Sequence, residues 1–247
     1  MTVSVALEDA PASQLDRAIT VPYIFDAFDN PLDNRPLIVQ QDPSGNLGGG
    51  QGATVWDSGL CLAKYIEKRL KKDPQLLLGA RVLEIGSGTG LVGLAVAMMG
   101  AGSTTSVELT DMPIAIPLLD KNTATVRQAF AEHAFEVPSM TVSPLLWGNE
   151  ADAVSLRSKE EKPPSHVLIS DCFYAPKLYE ALNATLSAVC GPETLVWIAY
   201  EKRDFSLEMD FWQLFGKTFR FANVPESEQD DMYKSEDIFL FEAKKRN

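Results

Sequence analysis

Short apolar runs alternate with helical patterns of apolar and polar positions from Ala80 onward. The runs ARVLEI, STTSVELTD, TVSPLLW, HVLISD and TLVWIAY have the length and residue types of buried strands. Helical spacing marks the intervening segments GLVGLAVAMMG, IAIPLLDKNTATVRQAFAEHA and PKLYEALNATLSAVC. Because parallel βαβ units produce this alternation, we predict an α/β fold with a doubly wound, mostly parallel sheet.

The two ends of the chain depart from this rhythm. After a helix around SLEMDFWQLFGK come the run TFRFANV and a final strand DIFLFEA, which predict an antiparallel C-terminal strand. Residues 1–52 are irregular except for the strand-like run RPLIVQQ before the loop DPSGNLGGGQG, so we expect a short N-terminal β extension. Residues 53–247 then form one domain, with a helix over SGLCLAKYIEKRLKK capped by Ser58 and a polar loop at residues 148–165.

Composition indicates a globular protein from a reducing compartment of the cell. The chain has 247 residues, 45% of them hydrophobic, and lacks an apolar stretch long enough to span a membrane. The N-terminus has no signal-peptide pattern, so we expect a cytoplasmic protein, with the nucleus as the alternative. Three cysteines without CxxC spacing argue against a disulfide framework and structural zinc, and neither His133 nor His166 has metal-ligand spacing. We therefore expect no metal.

The balance of charge bears on partners. Thirty-four acidic against 22 basic residues give a formal net charge of −12. A phosphate backbone would be repelled by this average surface, so we expect no nucleic-acid partner. A cationic partner would be favoured, although solubility alone also explains such a charge.

A glycine-rich loop follows the first predicted strand of the domain. In EIGSGTGLVG, Gly86, Gly88 and Gly90 allow a sharp turn and a close approach of the backbone to a ligand. A dinucleotide fingerprint would put glycine at position 91, where the chain has Leu91, and the Gly-Lys-Ser/Thr of a P-loop is absent.

The next predicted strand ends at Asp111, where a carboxylate could accept hydrogen bonds from both hydroxyls of a ribose. Glu108 competes for this role, but the alternation of the strand favours Asp111 at its tip. Glu84 and Asp111 could each be ordinary acids at strand ends. Together with the GxGxG loop they predict a nucleoside pocket without a phosphate.

Seven blocks that occur in order identify a family. TVWDSGLCLAKYI, VLEIGSGTGLVGLAVA, TDMPIAIPLLDKN, LLWGNE, SDCFY, AYEKR and FLFEAKKRN resemble those of the methyltransferase 16 group, within the seven-β-strand (class I) methyltransferases. That group includes the methyltransferase-like 21 protein-lysine methyltransferases. The resemblance covers about residues 36–247 and implies a seven-stranded, Rossmann-like sheet. It also implies S-adenosylmethionine as the cofactor, with S-adenosylhomocysteine as the product.

The resemblance implies a set of cofactor-binding residues. Trp56 would flank the methionine end, Asp111 would bind the ribose, Trp147 would lie along the adenine, and Ser170 would contribute backbone beside it. The remaining members of the set are Glu84, Gly86, Ser87 and Gly88. The residue types suit these roles, because an aromatic face attracts both adenine and a sulfonium. Core packing is the alternative for both tryptophans.

The Asp-x-x-Tyr motif of the group matches Asp171 and Tyr174, which follow the apolar run VLIS. The resemblance makes them the catalytic residues at the substrate amine. A lysine amine must lose a proton before it attacks, and burial beside a cationic sulfonium lowers its pKa. We expect Asp171 to orient the amine and accept a proton, and Tyr174 to shape the slot.

AYEKR ends the following strand, so Tyr200, Glu201 and Arg203 could contact the substrate, or could form an ordinary solvated strand end. Cys172 lies between the two motif residues. Because no histidine is near it in sequence, we interpret it as a packed side chain rather than a nucleophile.

These observations predict a protein-lysine N-methyltransferase. The resemblance suggests a non-histone protein substrate with an exposed lysine, such as a chaperone, a translation elongation factor or a AAA ATPase. We expect a monomer that does not bind membranes. A methyltransferase acting on a small molecule or a nucleic acid stays open, as does a catalytically silent binding platform.

Overall fold

The computed structural model describes residues 20–25, 36–42, 50–101, 105–133, 136–158 and 162–246. Its strands are β1 (Thr20–Tyr23), β2 (Leu37–Gln40), β3 (Arg81–Ile85), β4 (Ser106–Asp111), β5 (Ser139–Pro144), β6 (His166–Ser170), β7 (Leu195–Glu201), β8 (Phe219–Asn223) and β9 (Ile238–Lys245). Its α-helices are α1 (Asp57–Lys72), α2 (Leu91–Met99), α3 (Ile116–Glu132), α4 (Glu150–Ser158), α5 (Tyr179–Val189) and α6 (Phe205–Thr218).

A seven-stranded sheet forms the centre of the molecule, in the order β5-β4-β3-β6-β7-β9-β8. Strands β3 to β7 run parallel, and β9 inserts antiparallel between β7 and β8. The strand order reverses between β3 and β6, where two crossovers leave in opposite directions. The predicted doubly wound sheet with an antiparallel C-terminal strand is confirmed.

Helices cover both faces of this sheet. On one face, α1, α2 and α3 bury Leu62, Leu94 and Leu119, and on the other α4, α5 and α6 bury apolar residues such as Leu186 and Phe211. Successive residues of a strand point to opposite faces, so both layers require apolar side chains from the same run. This is why the central strands read as continuous apolar segments.

One helix lies where the sequence predicted a polar loop. Helix α4 occupies Glu150–Ser158 within the segment 148–165, so that prediction is wrong for these residues. Asn149 Oδ1 accepts hydrogen bonds from the backbone N–H of Ala151 at 3.0 Å and of Asp152 at 3.4 Å, which satisfies the helix start. Ala153 and Leu156, three residues apart, are both buried against the sheet. Residues 159–161 lie outside the described part.

The start of α1 also differs from the prediction. The helix begins at Asp57, with Trp56 in the N-cap position, so Ser58 is not the cap. Ser58 is fully buried, and its Oγ has no hydrogen-bond partner among the described residues. The packing of α1 against the sheet therefore fixes the helix start here, rather than a side-chain cap.

The N-terminal β extension is a two-stranded antiparallel sheet of β1 and β2. Asn122 of α3 joins it to the domain: its side chain accepts from Gln40 N at 2.9 Å and donates to Gln40 O at 2.9 Å and to Thr89 O at 2.8 Å. One side chain thus connects β2, α3 and the glycine loop. The irregular segments predicted before and between these strands lie outside the described residues, as does most of the glycine cluster at 43–49.

Candidate active site

A cavity of about 480 Å³ opens at the carboxyl edge of the parallel strands, beside the switch in strand order between β3 and β6. This main cavity has the size of small-molecule sites and lies where open α/β sheets bind their ligands. Its lining contains these residues predicted from the sequence: Trp56, Glu84, Gly86, Ser87, Gly88, Asp111, Trp147, Ser170, Asp171, Tyr174 and Arg203. The fold therefore brings six separate sequence blocks to one site.

The glycine loop between β3 and α2 forms the floor of the main cavity. Gly86 and Gly88 both have left-handed backbone conformations, with φ of 68° and 55°. A Cβ on Gly88 would lie 2.7 Å from the carbonyl oxygen of Gly52, and a Cβ on Gly86 would lie 2.6 Å from Cys172 Sγ. Both glycines are needed for conformation and for space.

Hydrogen bonds attach this loop to the end of β4. Ser87 N donates to Thr110 O at 2.9 Å, and Thr110 N donates to Ser87 Oγ at 3.0 Å. Thr110 Oγ1 donates to Glu84 O at 2.6 Å. These contacts place Asp111, the next residue of β4, directly beside the loop.

Asp111 presents its carboxylate to the main cavity. Its Oδ2 accepts from Gly88 N at 2.7 Å and its Oδ1 from Met112 N at 2.7 Å. A carboxylate has about four acceptor positions, so capacity is left for a ligand's hydroxyls. Burial raises the pKa of Asp111, although the two backbone N–H groups oppose this effect.

Glu108, the competing acid, has a different environment. It is buried, and its carboxylate accepts hydrogen bonds from Arg81 Nη2 at 3.3 Å and from Ser143 Oγ at 2.9 Å. Among the described residues, Glu108 does not belong to the lining of the main cavity. The alternation of side chains along β4 explains the separation, since Asp111 follows Glu108 by an odd number of residues.

Glu84 lies beneath the start of α2. Only 1% of it is exposed, and its Oε2 accepts from Gly93 N at 3.1 Å in the first turn of that helix. Burial raises the pKa of Glu84 to about 8, because hydrogen bonds from Ser87 and Gly93 offset only part of the desolvation. The carboxyl group is therefore largely protonated at neutral pH.

Asp171 and Tyr174 lie just beyond the end of β6. Asp171 has a φ of 51°, which aspartate tolerates better than most residues, and its backbone N–H bonds to Ala199 O at 2.9 Å. Its Oδ2 accepts a hydrogen bond from Arg203 Nη2, and its Oδ1 accepts one from Glu201 N at 3.3 Å. Burial raises the pKa of Asp171, while the Arg203 guanidinium acts in the opposite direction.

Arg203 contacts residues from three separate segments of the chain. Its guanidinium pairs with Asp171, lies 3.3 Å from Glu201 Oε2, and has its Cζ 4.8 Å from the centre of the Trp56 ring. The sequence predicted a substrate contact at Arg203, but it did not reveal this pairing, which requires the end of β7 to face the loop after β6.

The other two residues of AYEKR have different positions. The structure places Tyr200 in the aromatic core, 6% exposed, with its ring centre 5.7 Å from that of Phe173 and 5.6 Å from that of Phe239. Burial therefore gives Tyr200 a packing role, and its predicted substrate contact stays a prediction. Glu201 is 41% exposed at its side chain and lines a second, smaller cavity.

Further lining residues of the main cavity were missed in the sequence analysis. They are mostly small or apolar: Gly52, Thr54, Val55, Gly59, Met112, Ile114, Leu145 and Leu146. Met112 and Leu145 follow the ends of β4 and β5, so their position one residue after a strand could have indicated them. Cys172 also lines the cavity, and burial raises the pKa of its thiol well above the usual value, which agrees with a packed role.

Two kinds of feature are absent from the part of the chain that the structure describes. It contains no group of three or more His, Cys, Asp or Glu side chains arranged to hold a metal ion. In the same residues, no helix combines the length and apolar character that crossing a membrane requires.

Comparisons with known proteins agree on one family. Residues 31–217 match the family model described as lysine methyltransferase (Methyltransf_16). EEF1A lysine methyltransferase 3 of Xenopus tropicalis is 32% identical over 177 residues, covering 72% of this chain and 69% of that protein. Protein N-lysine methyltransferase METTL21A of Mus musculus is 27% identical over 200 residues, covering 80% and 79%.

A solved structure supports the fold alone. The CurJ carbon methyltransferase superposes with a TM-score of 0.52 at 15% identity, covering 83% of this chain and 60% of that chain.

The family model spans most of the chain, and its blocks build the main cavity. The resemblance seen in the sequence is therefore confirmed: this chain belongs to the lysine methyltransferase family.

Proposed function

We propose that this protein transfers a methyl group from S-adenosylmethionine to the side-chain amine of a lysine in a non-histone protein. The observation that carries the proposal is the position of Asp171 and Tyr174. Both line the same cavity as the glycine loop and Asp111, so a nucleoside site and a candidate amine site share one space. Family membership supplies the reaction class.

The lining suits the cofactor. A Cβ on Gly86 or Gly88 would lie within 2.7 Å of other protein atoms, so only glycine allows the loop to keep the shape that lines the main cavity. Asp111 keeps acceptor positions for the ribose hydroxyls, and Trp56 and Trp147 supply aromatic surface. When bound, S-adenosylmethionine supplies an electrophilic methyl group on a positively charged sulfur.

The amine site has to favour a neutral lysine. At pH 7 the neutral form of an exposed lysine costs about 4 to 5 kcal/mol. Enclosure beside Trp56 and Tyr174 reduces that cost by desolvating the ammonium. Asp171 acts as the proton acceptor, and its burial makes it a stronger base than an exposed aspartate. Arg203 shares this carboxylate, so the incoming amine competes with the guanidinium for it.

Relatives and charge support a protein substrate. Two relatives are named as methyltransferases of EEF1A and of protein lysines, and Protein-lysine N-methyltransferase EFM6 of Saccharomyces cerevisiae is 28% identical over 211 residues. We propose a target among chaperones, elongation factors or AAA ATPases that presents its lysine in a basic patch, matched to the net charge of −12. The protein acts as a cytoplasmic monomer without nucleic acid.

Labelled methyl transfer tests this proposal. The purified protein and labelled S-adenosylmethionine are added to a lysate lacking the enzyme, with Asp111→Ala as the inactive variant and Asp120→Ala, an exposed acid on α3, as the matched control. We expect a discrete protein band that carries methyl-lysine by mass spectrometry and disappears only with Asp111→Ala. Label in RNA or small molecules instead would refute the lysine assignment. Failure to bind the cofactor would favour a silent platform.

A further inference from the structure

A second cavity adjoins the main one. Its volume is about 180 Å³, whereas small-molecule sites usually have about 300 Å³ or more. It therefore has room for one side chain rather than for a whole ligand. Asp171, Tyr174 and Arg203 line both cavities. The two spaces therefore meet at the Asp171–Arg203 ion pair, next to the proposed amine site.

The walls of the second cavity are acidic and aromatic. Glu201, Asp204 and Glu208 line it in addition to Asp171, against the single guanidinium of Arg203. Phe173 and Tyr179 belong to the same lining. Carboxylates combined with aromatic surface are suited to a cationic side chain, above all to a planar guanidinium.

Glu208 lines this cavity, and its two carboxylate oxygens differ in their partners. Its Oε1 accepts from Arg203 N at 2.7 Å and from Asp204 N at 3.0 Å, which fixes the carboxylate at the start of α6. Its Oε2 is buried and has no hydrogen-bond partner among the described residues, and the residue is only 4% exposed. A buried carboxylate oxygen without a donor is costly and uncommon, so a bound cation would satisfy it.

The target lysine itself is a poor occupant of this cavity. The cavity's four lining carboxylates would stabilise an ammonium and raise its pKa more than Asp171, which is paired with Arg203, does at the amine site, whereas methyl transfer requires a neutral amine. Arginine faces no such conflict, because it stays charged throughout the reaction and its fork of donors matches a carboxylate.

We propose that the second cavity binds an arginine side chain of the substrate protein, adjacent to the lysine that is methylated, with Glu208 as its principal partner. This inference rests on the proposed function, because the arginine belongs to the same substrate. The site would select lysines that have an arginine beside them on the surface of the target. Glu208 is then a specificity residue that leaves the methyl-transfer step itself unchanged.

A direct binding test uses ethylguanidinium as the probe and the neutral, similarly shaped ethylurea as its control. Ligand-observed NMR compares the full chain with Glu208→Gln, which keeps an oxygen for Arg203 N and Asp204 N. Glu193→Gln, which removes an exposed carboxylate at the opposite edge of the sheet, is the matched control. We expect saturable ethylguanidinium binding that weakens about ten-fold or more in Glu208→Gln alone, and no ethylurea binding.

Two further measurements keep the outcomes distinct. Equal affinity for S-adenosylmethionine shows that Glu208→Gln is folded, and Glu201→Gln, at the cavity rim, should weaken ethylguanidinium binding to a smaller extent. With the methyl-accepting protein found by labelling, Glu208→Gln should raise KM about ten-fold at unchanged kcat. A lower kcat at unchanged KM would overturn the proposal, because it would place the reacting amine in this cavity.

Failure of this inference differs from failure of the proposed function. If a protein is methylated, and if Glu208→Gln changes neither ethylguanidinium binding nor KM, only the arginine site is refuted. If ethylguanidinium binds through Glu208 but no protein is methylated, the cation site stands and the lysine methyltransferase activity falls. Absence of ethylguanidinium binding to the unaltered protein overturns the arginine site directly.

Discussion

Replacing Glu84 with glutamine should flatten the pH dependence of folding stability. Burial raises the pKa of this carboxyl from its ordinary 4.5 to about 8, so the folded chain keeps a proton that the unfolded chain releases. A raised pKa stabilises the fold fully at acidic pH, and that contribution is lost as the pH rises towards 8. Glutamine keeps an acceptor for Gly93 N but cannot ionise.

The magnitude follows from the size of the shift. One pKa unit corresponds to about 1.4 kcal/mol, so between about pH 5 and pH 8 the unaltered protein should lose about 3 to 4 kcal/mol relative to Glu84→Gln. His166, whose pKa burial lowers to about 4, has the opposite effect at acidic pH, but it is present in both proteins and cancels in the difference.

Urea unfolding measured at several pH values gives this difference directly. Tryptophan fluorescence can follow the transition, since the chain has four tryptophans. The control is Asp120→Asn, which removes an exposed acid. Its free energy of unfolding should change with pH in parallel with that of the unaltered protein. If Glu84→Gln also runs parallel, the Glu84 carboxyl is ionised in the folded state and the reasoning about its burial is refuted.

Three other results are expected. Gly88→Ala should weaken cofactor binding, measured by calorimetry, about ten-fold or more, because its Cβ would lie 2.7 Å from a backbone oxygen. The control is Gly216→Ala in α6, where the added Cβ would lie no closer than 3.6 Å to other atoms. It should leave cofactor affinity unchanged and add about 0.5 to 1 kcal/mol to the free energy of unfolding. Asp171→Asn and Tyr174→Phe should each lower kcat about 100-fold at normal cofactor affinity, and normal turnover in both would contradict their catalytic role. All three cysteines are buried with raised thiol pKa values, so a disulfide reagent at neutral pH should label them only on unfolding; rapid labelling of the native protein would argue against this burial.

Most of the fold could be predicted because periodicity reports burial. The strands around Val82 and Val167 are mostly apolar since helices cover both faces, and the positive φ of the loop favours glycine. Helix α4 was missed because its apolar contacts are few: Ala153 and Leu156 are buried, while Val154 is 53% exposed. So weak a pattern is hard to tell from a loop.

Site chemistry was harder to predict than site position. The end of a strand identified Asp171 and Arg203 as residues of one edge, but the ion pair between them depends on the left-handed turn at Asp171. Tyr200 shows that a position at the end of a strand does not determine whether the side chain is buried. It is at the correct strand end, yet the aromatic side chains of Trp212 and Phe239 enclose it, and contacts between distant segments leave no local pattern in the sequence.

The bridge formed by Asn122 has a thermodynamic consequence. Because this side chain bonds both to β2 and to the carbonyl of Thr89 in the glycine loop, whatever orders the loop also favours attachment of the N-terminal strands. Linkage requires the effect to be reciprocal. Cofactor binding should therefore slow amide hydrogen exchange in β2, and deleting β1 and β2 should weaken cofactor affinity by the same factor, although neither strand belongs to the central sheet.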